Sequence, residues 1–376
     1  MKPRILINCS NLHNGGGVAV ATSVVDCLSR MDHRGFSISV LLSTPVSSNL
    51  HELGTNFSVF ASCQTRDFYG ISALWKKLDS HFKGFDLVFT VFGPAYYAHK
   101  NTRHLFGFAQ PNIVYPENAS ASRLPTIARW RSRLKFELQA CFFARADELV
   151  VELEHVRKGL SQRRLFKNKP IHVVYSSVHT VFNEPSLWAP VRLPEKSGRL
   201  RLGIISRNYP HKNLAVLAEV KDILLHKHGL DVDMFVTFLP DEWNSCDQYF
   251  RDRIINVGGL SLSQCPTFYA AMDGVVFPSL LECFSAVPIE TMRVGRPLFA
   301  SNLSFIRDVC EEHCQYFNPL DPNDIAQVIF KYYSKPAAER QHLCDKARIH
   351  VQRYPGPEQR ASNYLDVIQK ALTDTL

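Results

Sequence analysis

The sequence predicts an α/β protein made of two successive Rossmann-like domains that face a central cleft. Short apolar runs alternate with segments of helical periodicity, which is typical of a parallel sheet covered by helices on both faces. The alternation is interrupted by a Pro-rich polar stretch at 185–198 and then starts again over a similar length. The chain has 376 residues, 45% of them hydrophobic, so it is long enough for two cores. Ligands of such sheets bind beyond the carboxyl ends of the strands.

The first predicted domain covers residues 1–185. It opens with a strand at 4–8, a glycine cluster formed by Gly15, Gly16 and Gly17, and a helix at 18–31. Further strands are predicted at 36–42, 86–91, 104–109, 149–152 and 171–175. The cluster lacks the third glycine of the dinucleotide fingerprint, because Val20 stands there, and it therefore does not predict NAD binding.

The second predicted domain covers residues 195–356 and repeats the pattern. A strand is predicted at 200–206 and a helix at 213–228. The other predicted strands are 234–239, 254–257, 274–277 and 297–300.

The excess positive charge lies in the first half of the chain. The net charge is +8, and residues 1–190 hold 22 Lys and Arg against 13 Asp and Glu. An anionic membrane surface or a phosphorylated lipid is a candidate partner. We expect no nucleic-acid partner, because the basic residues form no known recognition module. The stretch Arg123–Arg145 mixes cations with aromatic and aliphatic residues, and two interpretations stay open. It is either a helix with one core face and one solvated basic face, or an interfacial helix that attracts anionic headgroups.

The cysteines and the N-terminal residues predict a cytoplasmic protein. No run reaches the roughly 18 apolar residues of a membrane span, and residues 1–5 are typical of a first strand rather than of a signal peptide. The ten cysteines are scattered without a C-x-x-C pair, so we expect reduced thiols.

The most informative stretch is 277–290. A buried strand ends at Pro278, a tight loop carries Glu282, and a helix starts near Ser285. Pro288 fits the first turn of that helix, and Gly295 fits its end. The first N–H groups of a helix have no partner inside it and favour an anion. The sequence therefore predicts a diphosphate site at the backbone of Phe284, Ser285, Ala286 and Val287. The carboxylates of Glu282 and Glu290 would hold hydroxyl groups on either side of it.

A second group of residues follows the strand at 200–206. Arg207 and Lys212 are predicted on the loop that leads into the next helix. Two cations at a strand end suit a departing diphosphate, whose charge grows in the transition state.

No metal site is predicted. Asp231-Val232-Asp233 matches a D-x-D motif, but it precedes a strand and so lies at the edge opposite the ligand-binding one. The histidines show no metal-binding spacing.

Taken together, these motifs resemble the retaining glycosyltransferases of family four, the glycosyl transferases group 1. Their E-x₇-E signature corresponds to Glu282 through Glu290, and their arginine–lysine pair corresponds to Arg207 and Lys212. Further matching segments are 256–259, 295–297, 301–302 and 321–322. The resemblance is strong over 200–335 and weaker over 1–180, where 107–112 resembles bacterial polysaccharide and O-antigen transferases.

The resemblance implies a GT-B fold that works without a metal or other cofactor. It assigns Arg207 and Lys212 to the diphosphate, Glu290 to the ribose hydroxyls and Glu282 to the donor sugar. It places the nucleotide base near Gly259, adds Gly16, Gly17 and Gln110 to the donor site, and packs the last helix, 357–376, back on the first domain.

Two positions depart from the family pattern. Gln110 stands where many members have a histidine, and an amide cannot act as a general base. Ser285 replaces a usual glycine. Its side chain leaves a ligand less room to approach the backbone, but the backbone N–H groups are kept.

The function expected from the resemblance is transfer of a hexose or deoxyhexose from a nucleoside-diphosphate sugar, with GDP-mannose or GDP-rhamnose favoured as donor. The expected acceptor is a growing, lipid-linked surface polysaccharide such as O-antigen of lipopolysaccharide, at the inner face of the cytoplasmic membrane. A sugar-nucleotide epimerase of the same fold and a non-catalytic nucleotide-sugar or lipid-binding protein are the alternatives. An epimerase would turn over the donor without an acceptor.

Overall fold

The computed structural model describes residues 2–13, 15–68, 79–96 and 101–373. Two units divide the chain. Unit 1 consists of Met1–Pro116, Pro125–Ser177 and Pro355–Leu376, and unit 2 consists of Glu117–Leu124 and Val178–Tyr354.

Each unit is built on one parallel sheet. The strands of unit 1 are β1 (Arg4–Cys9), β2 (Ser37–Leu42), β3 (Ser62–Thr65), β4 (Leu87–Thr90), β5 (Arg103–Gly107), β6 (Glu148–Val151) and β7 (Ile171–Val173), in the order β3-β2-β1-β4-β5-β6-β7. The strands of unit 2 are β8 (Leu200–Gly203), β9 (Val232–Val236), β10 (Ile254–Asn256), β11 (Gly274–Phe277), β12 (Leu298–Ser301) and β13 (Gln315–Phe317), in the order β10-β9-β8-β11-β12-β13. In both sheets the first strand, β1 or β8, lies in the interior. The next two strands are added on one side of it, and all later strands are added on the other side. Both are therefore doubly wound sheets of the Rossmann type, and the predicted pair of Rossmann-like domains is confirmed.

Helices connect and cover the strands. They are α1 (Gly16–Leu28), α2 (Thr44–Glu52), α3 (Asp79–Phe82), α4 (Pro111–Val114), α5 (Ala119–Ser122), α6 (Thr126–Phe143), α7 (Glu154–Ser161), α8 (Val216–His228), α9 (Pro240–Asn244), α10 (Gln248–Arg251), α11 (Cys265–Ala271), α12 (Ala286–Arg293), α13 (Ser304–Cys310), α14 (Pro322–Tyr333), α15 (Ala337–His350) and α16 (Pro357–Thr373). Every residue of the central strands β4, β6, β9, β11 and β12 is buried, which explains their continuous apolar runs.

Two helices begin elsewhere than predicted. Helix α1 starts at Gly16 rather than at residue 18, so Gly16 and Gly17 form its first turn. Helix α8 starts at Val216, and the expected start at Asn213 is wrong, because Asn213 adopts the left-handed conformation (φ 57°, ψ 31°) after a 3₁₀ turn at Pro210–Lys212. Asparagine tolerates that conformation, whereas a helix cannot pass through it.

The Pro-rich stretch 185–198 belongs to unit 2 and forms hydrogen bonds with other residues of that unit. Ala189 N donates to Ser263 O (2.9 Å), the Gln264 side chain donates to Pro190 O (3.0 Å), and the Arg201 side chain donates to Pro194 O (2.6 Å).

Helix α16 completes the core of unit 1. Its side chains Ala361, Tyr364, Leu365 and Ile368 are buried in one cluster with strand β1. On the same helix Arg360 is 2% exposed, and it donates to Glu152 Oε1 (2.9 Å) and to Ser176 Oγ (3.1 Å). Burial raises the pKa of Glu152, although Arg360 acts against that shift.

Within the described ranges, no helix has the length and apolar character that a transmembrane span needs.

Replacing Arg360 by alanine should lower the free energy of unfolding of unit 1 by about 3–5 kcal/mol, because a buried carboxylate at Glu152 then lacks its cation. Urea unfolding followed by circular dichroism measures the change. The pair Arg30–Asp26 of the same unit, with Arg30 largely exposed, is the matched control. Arg30→Ala should cost about 1 kcal/mol or less, and a similar small cost for Arg360→Ala would contradict the prediction.

Candidate active site

The candidate residues of unit 2 lie at the carboxyl edge of its sheet. Arg207 and Lys212 follow β8, Gly259 follows β10, and Glu282 follows β11. Strands β8 and β11 are neighbours, and they are the pair at which the order of the sheet reverses. Ligands of doubly wound sheets bind at that switch point. The topology therefore brings Lys212 and Glu282 to the position where a ligand is expected.

Lys212 and Glu282 form an ion pair there. Lys212 Nζ lies 2.6 Å from Glu282 Oε1, and the two side chains are 15% and 11% exposed. Ser279 Oγ donates to the same carboxylate oxygen (2.8 Å), and Lys212 Nζ lies 5.4 Å from the centre of the Phe277 ring. A charged pair that is largely removed from water keeps its geometry, because either partner alone would be costly.

The two loops that carry this pair are tied together through His211. His211 O accepts a hydrogen bond from Leu280 N (2.7 Å) and lies 3.2 Å from Ser279 Oγ. Burial lowers the pKa of the His211 imidazole, Lys212 acts in the same direction and Glu282 opposes them. The imidazole is therefore neutral at pH 7, and Lys212 is the cation that balances Glu282.

Asn213 holds the backbone immediately after Lys212. It is 6% exposed, its Nδ2 donates to Pro319 O (2.8 Å), and its Oδ1 accepts from Arg123 Nη1 (2.6 Å). Arg123 belongs to the segment Glu117–Leu124, which lies in unit 2 although its sequence neighbours lie in unit 1. A residue far away in the sequence thus helps to position Lys212.

Arg207 is paired with a different carboxylate. Its Nε donates to Glu242 Oε1 (2.8 Å), and half of its side chain is exposed. Glu242 also accepts from Leu239 N (3.0 Å) and Asn208 N (3.2 Å). Burial alone would raise the pKa of Glu242, but these donors together hold it below its usual value. Within the part of the chain that the structure describes, this guanidinium forms a hydrogen bond through Nε alone, so its terminal nitrogens can bind an anion.

The segment between Glu282 and Glu290 forms the expected loop and helix. Glu282 and Cys283 are buried, and Phe284, Ser285 and Ala286 are half-buried. Ser285 is the extended N-cap residue of α12 (φ −138°, ψ 136°), and its hydroxyl does not cap the helix. The first-turn N–H groups, which include those of Ala286 and Val287, are therefore not capped by this side chain and suit an anion.

Glu290 lies one turn further along α12 and receives a hydrogen bond from Tyr269. The Tyr269 hydroxyl donates to Glu290 Oε2 (3.0 Å), and Tyr269 itself is fully buried. Burial raises the pKa of Glu290 to about 7, although the hydrogen bond from Tyr269 opposes the shift. Glu290 is therefore partly protonated near neutral pH.

The loop after β10 is shaped by Asn256. Its Oδ1 accepts from Phe238 N (2.8 Å) and from Gly258 N (3.2 Å), which joins this loop to the end of β9. Gly258 has φ 80°, and a Cβ at Gly259 would come within 2.7 Å of the Leu239 side chain. Leu239 N also donates to Glu242, the partner of Arg207. Leu239 therefore contacts both the loop of Gly259 and the carboxylate that pairs with Arg207.

The candidate residues of unit 1 lie at the carboxyl edge of their own sheet. Gly16 is exposed and Gly17 is half-buried, and a Cβ at Gly17 would lie 3.3 Å from the Leu12 side chain. Gln110 follows β5 and is the N-cap residue of α4, where its Oε1 accepts from Asn112 Nδ2 (3.4 Å). These contacts place the residues beyond strand ends, as expected, without assigning them a ligand.

The carboxylates of the D-x-D motif contact Arg199. Asp233 Oδ1 lies 3.0 Å from Arg199 Nε, Asp231 Oδ2 lies 3.4 Å from Arg199 Nη1, and Asp233 also accepts from Ser197 Oγ (2.9 Å). They lie where β9 begins, at the edge opposite Lys212.

Sequence reasoning missed several residues of this site. Ser279 and His211 could have been found by their position beside Glu282 and Lys212. Glu242 follows Pro240 at the start of a short helix, which is a usual place for a carboxylate that binds backbone N–H groups. Nothing in the sequence pointed to Tyr269 or Arg123, because only tertiary packing brings them near Glu290 and Asn213.

Residues 199–335 match the family model of Glycosyl transferases group 1, so this part of unit 2 is similar to the domains of that family. The matched range includes Arg207, Lys212, Glu282 and Glu290.

Two relatives are mannosyltransferases by name. The chain is 33% identical over 91 residues to the serotype-specific mannosyltransferase WbdA of Escherichia coli, a match that covers 24% of this chain and 11% of that protein. It is 23% identical over 139 residues to the O-antigen chain mannosyltransferase RfbU of Salmonella typhimurium, a match that covers 36% of this chain and 38% of that protein. The chain thus spans about a tenth of the first relative and less than half of the second.

Solved structures match over the whole chain. The sucrose-phosphate synthase of Thermosynechococcus elongatus has a TM-score of 0.71 at 17% identity and covers 100% of both chains. Anabaena Alr3699/HepE in complex with UDP-glucose has a TM-score of 0.66 at 13% identity, and the match covers 98% of this chain and 99% of that chain. These likenesses concern the fold, and they confirm the predicted GT-B class with its two Rossmann-like domains.

The titration of Glu290 should appear in the pH dependence of stability. The unfolded chain releases this proton near the ordinary value of 4.5, whereas the folded chain keeps it to about pH 7. The free energy of unfolding should therefore fall as pH rises from 4.5 to about 7, because the unfolded state binds fewer protons than the folded state in this range. Glu290→Gln should raise Tm relative to the wild type at pH 8 and change it little at pH 5. A Tm difference between the two proteins that is the same at both pH values would contradict this assignment.

Proposed function

We propose that this chain is a retaining glycosyltransferase that moves a hexose or deoxyhexose, of the mannose or rhamnose type, from a nucleoside-diphosphate sugar to a growing polysaccharide. The observation that carries the proposal is the half-buried pair of Lys212 and Glu282, which lies at the switch point of a domain that matches the glycosyl transferases group 1. A cation and a carboxylate side by side suit the two parts of such a donor, its diphosphate and its sugar hydroxyls.

Each charged residue then has one role. Lys212 and the terminal nitrogens of Arg207 bind the diphosphate and stabilise the charge that develops when it departs. The first-turn N–H groups of α12 bind its remaining oxygens. Glu282 accepts from hydroxyls of the donor sugar, and Glu290 accepts from ribose hydroxyls through the oxygen that Tyr269 does not occupy.

The proposed reaction needs no metal, because side chains and backbone of this chain supply the positive charge. The bond between the sugar carbon and the diphosphate breaks, and the oxygen of an acceptor hydroxyl bonds to that carbon on the same face of the sugar, while the hydroxyl proton passes to the departing diphosphate. Binding through cations that are already in place costs no reorganisation at the moment of reaction.

The proposed acceptor is a lipid-linked glycan of bacterial surface polysaccharide. The mannosyltransferases WbdA and RfbU support a mannose-type sugar and an O-antigen setting by their names, and the Anabaena complex supports a nucleotide sugar as donor. We propose GDP-mannose as the first donor to test, and the cytoplasmic face of the membrane as the site of action.

A thermal-shift screen with UDP, GDP, ADP and their sugars, with and without EDTA, tests the donor site. We expect a rise in Tm that is selective for one base, indifferent to EDTA and lost in Lys212→Ala. Lys212→Ala should also lower the rate of transfer by about 10²–10³, as for the loss of one preorganised donor to a developing anion.

Lys227→Ala is the matched control, since Lys227 is an exposed lysine of α8 in the same unit and should leave both measurements unchanged. A folded wild-type chain that responds to none of the nucleotides would overturn the proposal. Turnover of the donor in the absence of any acceptor would identify an epimerase instead.

The role of Glu282 can be separated from that of Lys212. Glu282→Gln should keep the Tm shift caused by the bare nucleoside diphosphate and lose most of the additional shift caused by its sugar. The reason is that an amide accepts hydrogen bonds from hydroxyls more weakly than a carboxylate does. Equal additional shifts in Glu282→Gln and the wild type would remove Glu282 from the sugar site.

A further inference from the structure

Helix α6 leaves four large apolar side chains exposed to solvent. Only Ala140 and Phe143 are buried in it. Ile127, Trp130, Leu134 and Leu138 are 70%, 67%, 72% and 55% exposed. At about 100° per residue, these four side chains form one stripe on the side of the helix opposite to the buried pair. The interpretation of this stretch as a helix with an apolar core face is therefore wrong for these residues, which we call the α6 stripe.

The α6 stripe lies between cations. Arg131 and Lys135 are exposed along one side of it, and Arg133 is exposed along the other. The only acidic residue in the sequence of the helix is Glu137, and its carboxylate accepts two hydrogen bonds from Arg163 Nη2 (2.6 and 2.7 Å). The exposed face of α6 therefore combines four large apolar side chains with net positive charge.

This combination selects the occupant. A second copy of the chain would bring two basic surfaces together, and like charges across an interface are costly. An aqueous polyanion would neutralise the cations but leave the leucines and the tryptophan in water. An anionic bilayer satisfies both features, because headgroups bind the cations while the boundary with the acyl chains takes the apolar side chains.

We propose that α6 docks this chain on an anionic lipid bilayer, with the helix parallel to the surface and the α6 stripe at the headgroup boundary. The helix has 18 residues and is about 27 Å long, and the stripe enters to a depth of about 5–10 Å. The long side chains of Arg131 and Lys135 extend to the phosphates. This inference does not depend on the donor site of unit 2.

Co-sedimentation of the full chain with vesicles tests the docking. Vesicles of equal parts phosphatidylcholine and phosphatidylglycerol should bind the wild type, and pure phosphatidylcholine should bind it far less. Arg131→Gln/Lys135→Gln should weaken binding about 30-fold at low ionic strength, at the usual contribution of each surface cation. Leu134→Ser/Leu138→Ser should weaken it at least about tenfold at both low and high ionic strength. Leu53→Ser, at a 60% exposed leucine of unit 1 outside α6, is the matched control and should bind as the wild type does.

Fluorescence supplies a readout on the unaltered apolar face. Anionic vesicles should shift the tryptophan emission of the wild type to the blue, and Trp130→Phe should lose that shift. The nucleotide-dependent rise in Tm should be the same in all these variants, so failure of docking is distinguishable from failure of the donor site. The proposal is overturned if the wild type does not bind at low ionic strength, or if the serine variant binds as tightly as Leu53→Ser. It is also overturned if the wild type proves to be a dimer that the serine variant dissolves, since a second copy would then cover the stripe.

Discussion

The strands within each sheet all run in one direction, and this constraint decides where the chain can assemble a site. Every loop that follows a strand emerges at the same edge, so residues that are far apart in the sequence meet there. Lys212 and Glu282 follow adjacent strands, β8 and β11, at the reversal of strand order. The glycines at the start of α1 follow β1, which stands beside β4 at the corresponding reversal in unit 1. The residues at these two places are held in position by strands that are themselves largely buried and apolar.

The half-buried pair of Lys212 and Glu282 has an energetic consequence for any anion that approaches it. Removing both charges from water is costly, and the attraction between them offsets this cost while the site is empty. In the proposed function, an incoming diphosphate would compete with Glu282 for the ammonium group, and sugar hydroxyls would replace the ammonium group at the carboxylate. The loop geometry that this exchange needs is already present, because Asn213 fixes the backbone beside Lys212 and Ser279 holds the carboxylate of Glu282. Folding therefore supplies much of the order that binding would otherwise have to create.

The sequence predicted most of the fold, because strands buried on both faces give continuous apolar runs that alternate with helices. It predicted the loop and helix from Glu282 to Glu290, since strand, glutamate, N-cap and proline stand in order. It did not predict the start of α8, which depends on a single left-handed residue, Asn213. It could not show the partner of Glu290, because Tyr269 lies on another helix and only packing brings the two together. The apolar spacing in α6 is the same for a core face and for an exposed stripe, so the sequence alone left that choice open.

The position of helix α16 has a consequence for biosynthesis. Its side chains fill the core beside β1, and Arg360 neutralises Glu152 of the first sheet. The core around β1 is therefore completed only after α16 has left the ribosome. At roughly 5–20 residues per second, the intervening synthesis of unit 2 lasts on the order of ten to forty seconds. During that interval the apolar side chains of β1 lack the cover that α16 provides, and apolar surface that is exposed in this way favours aggregation of a nascent chain.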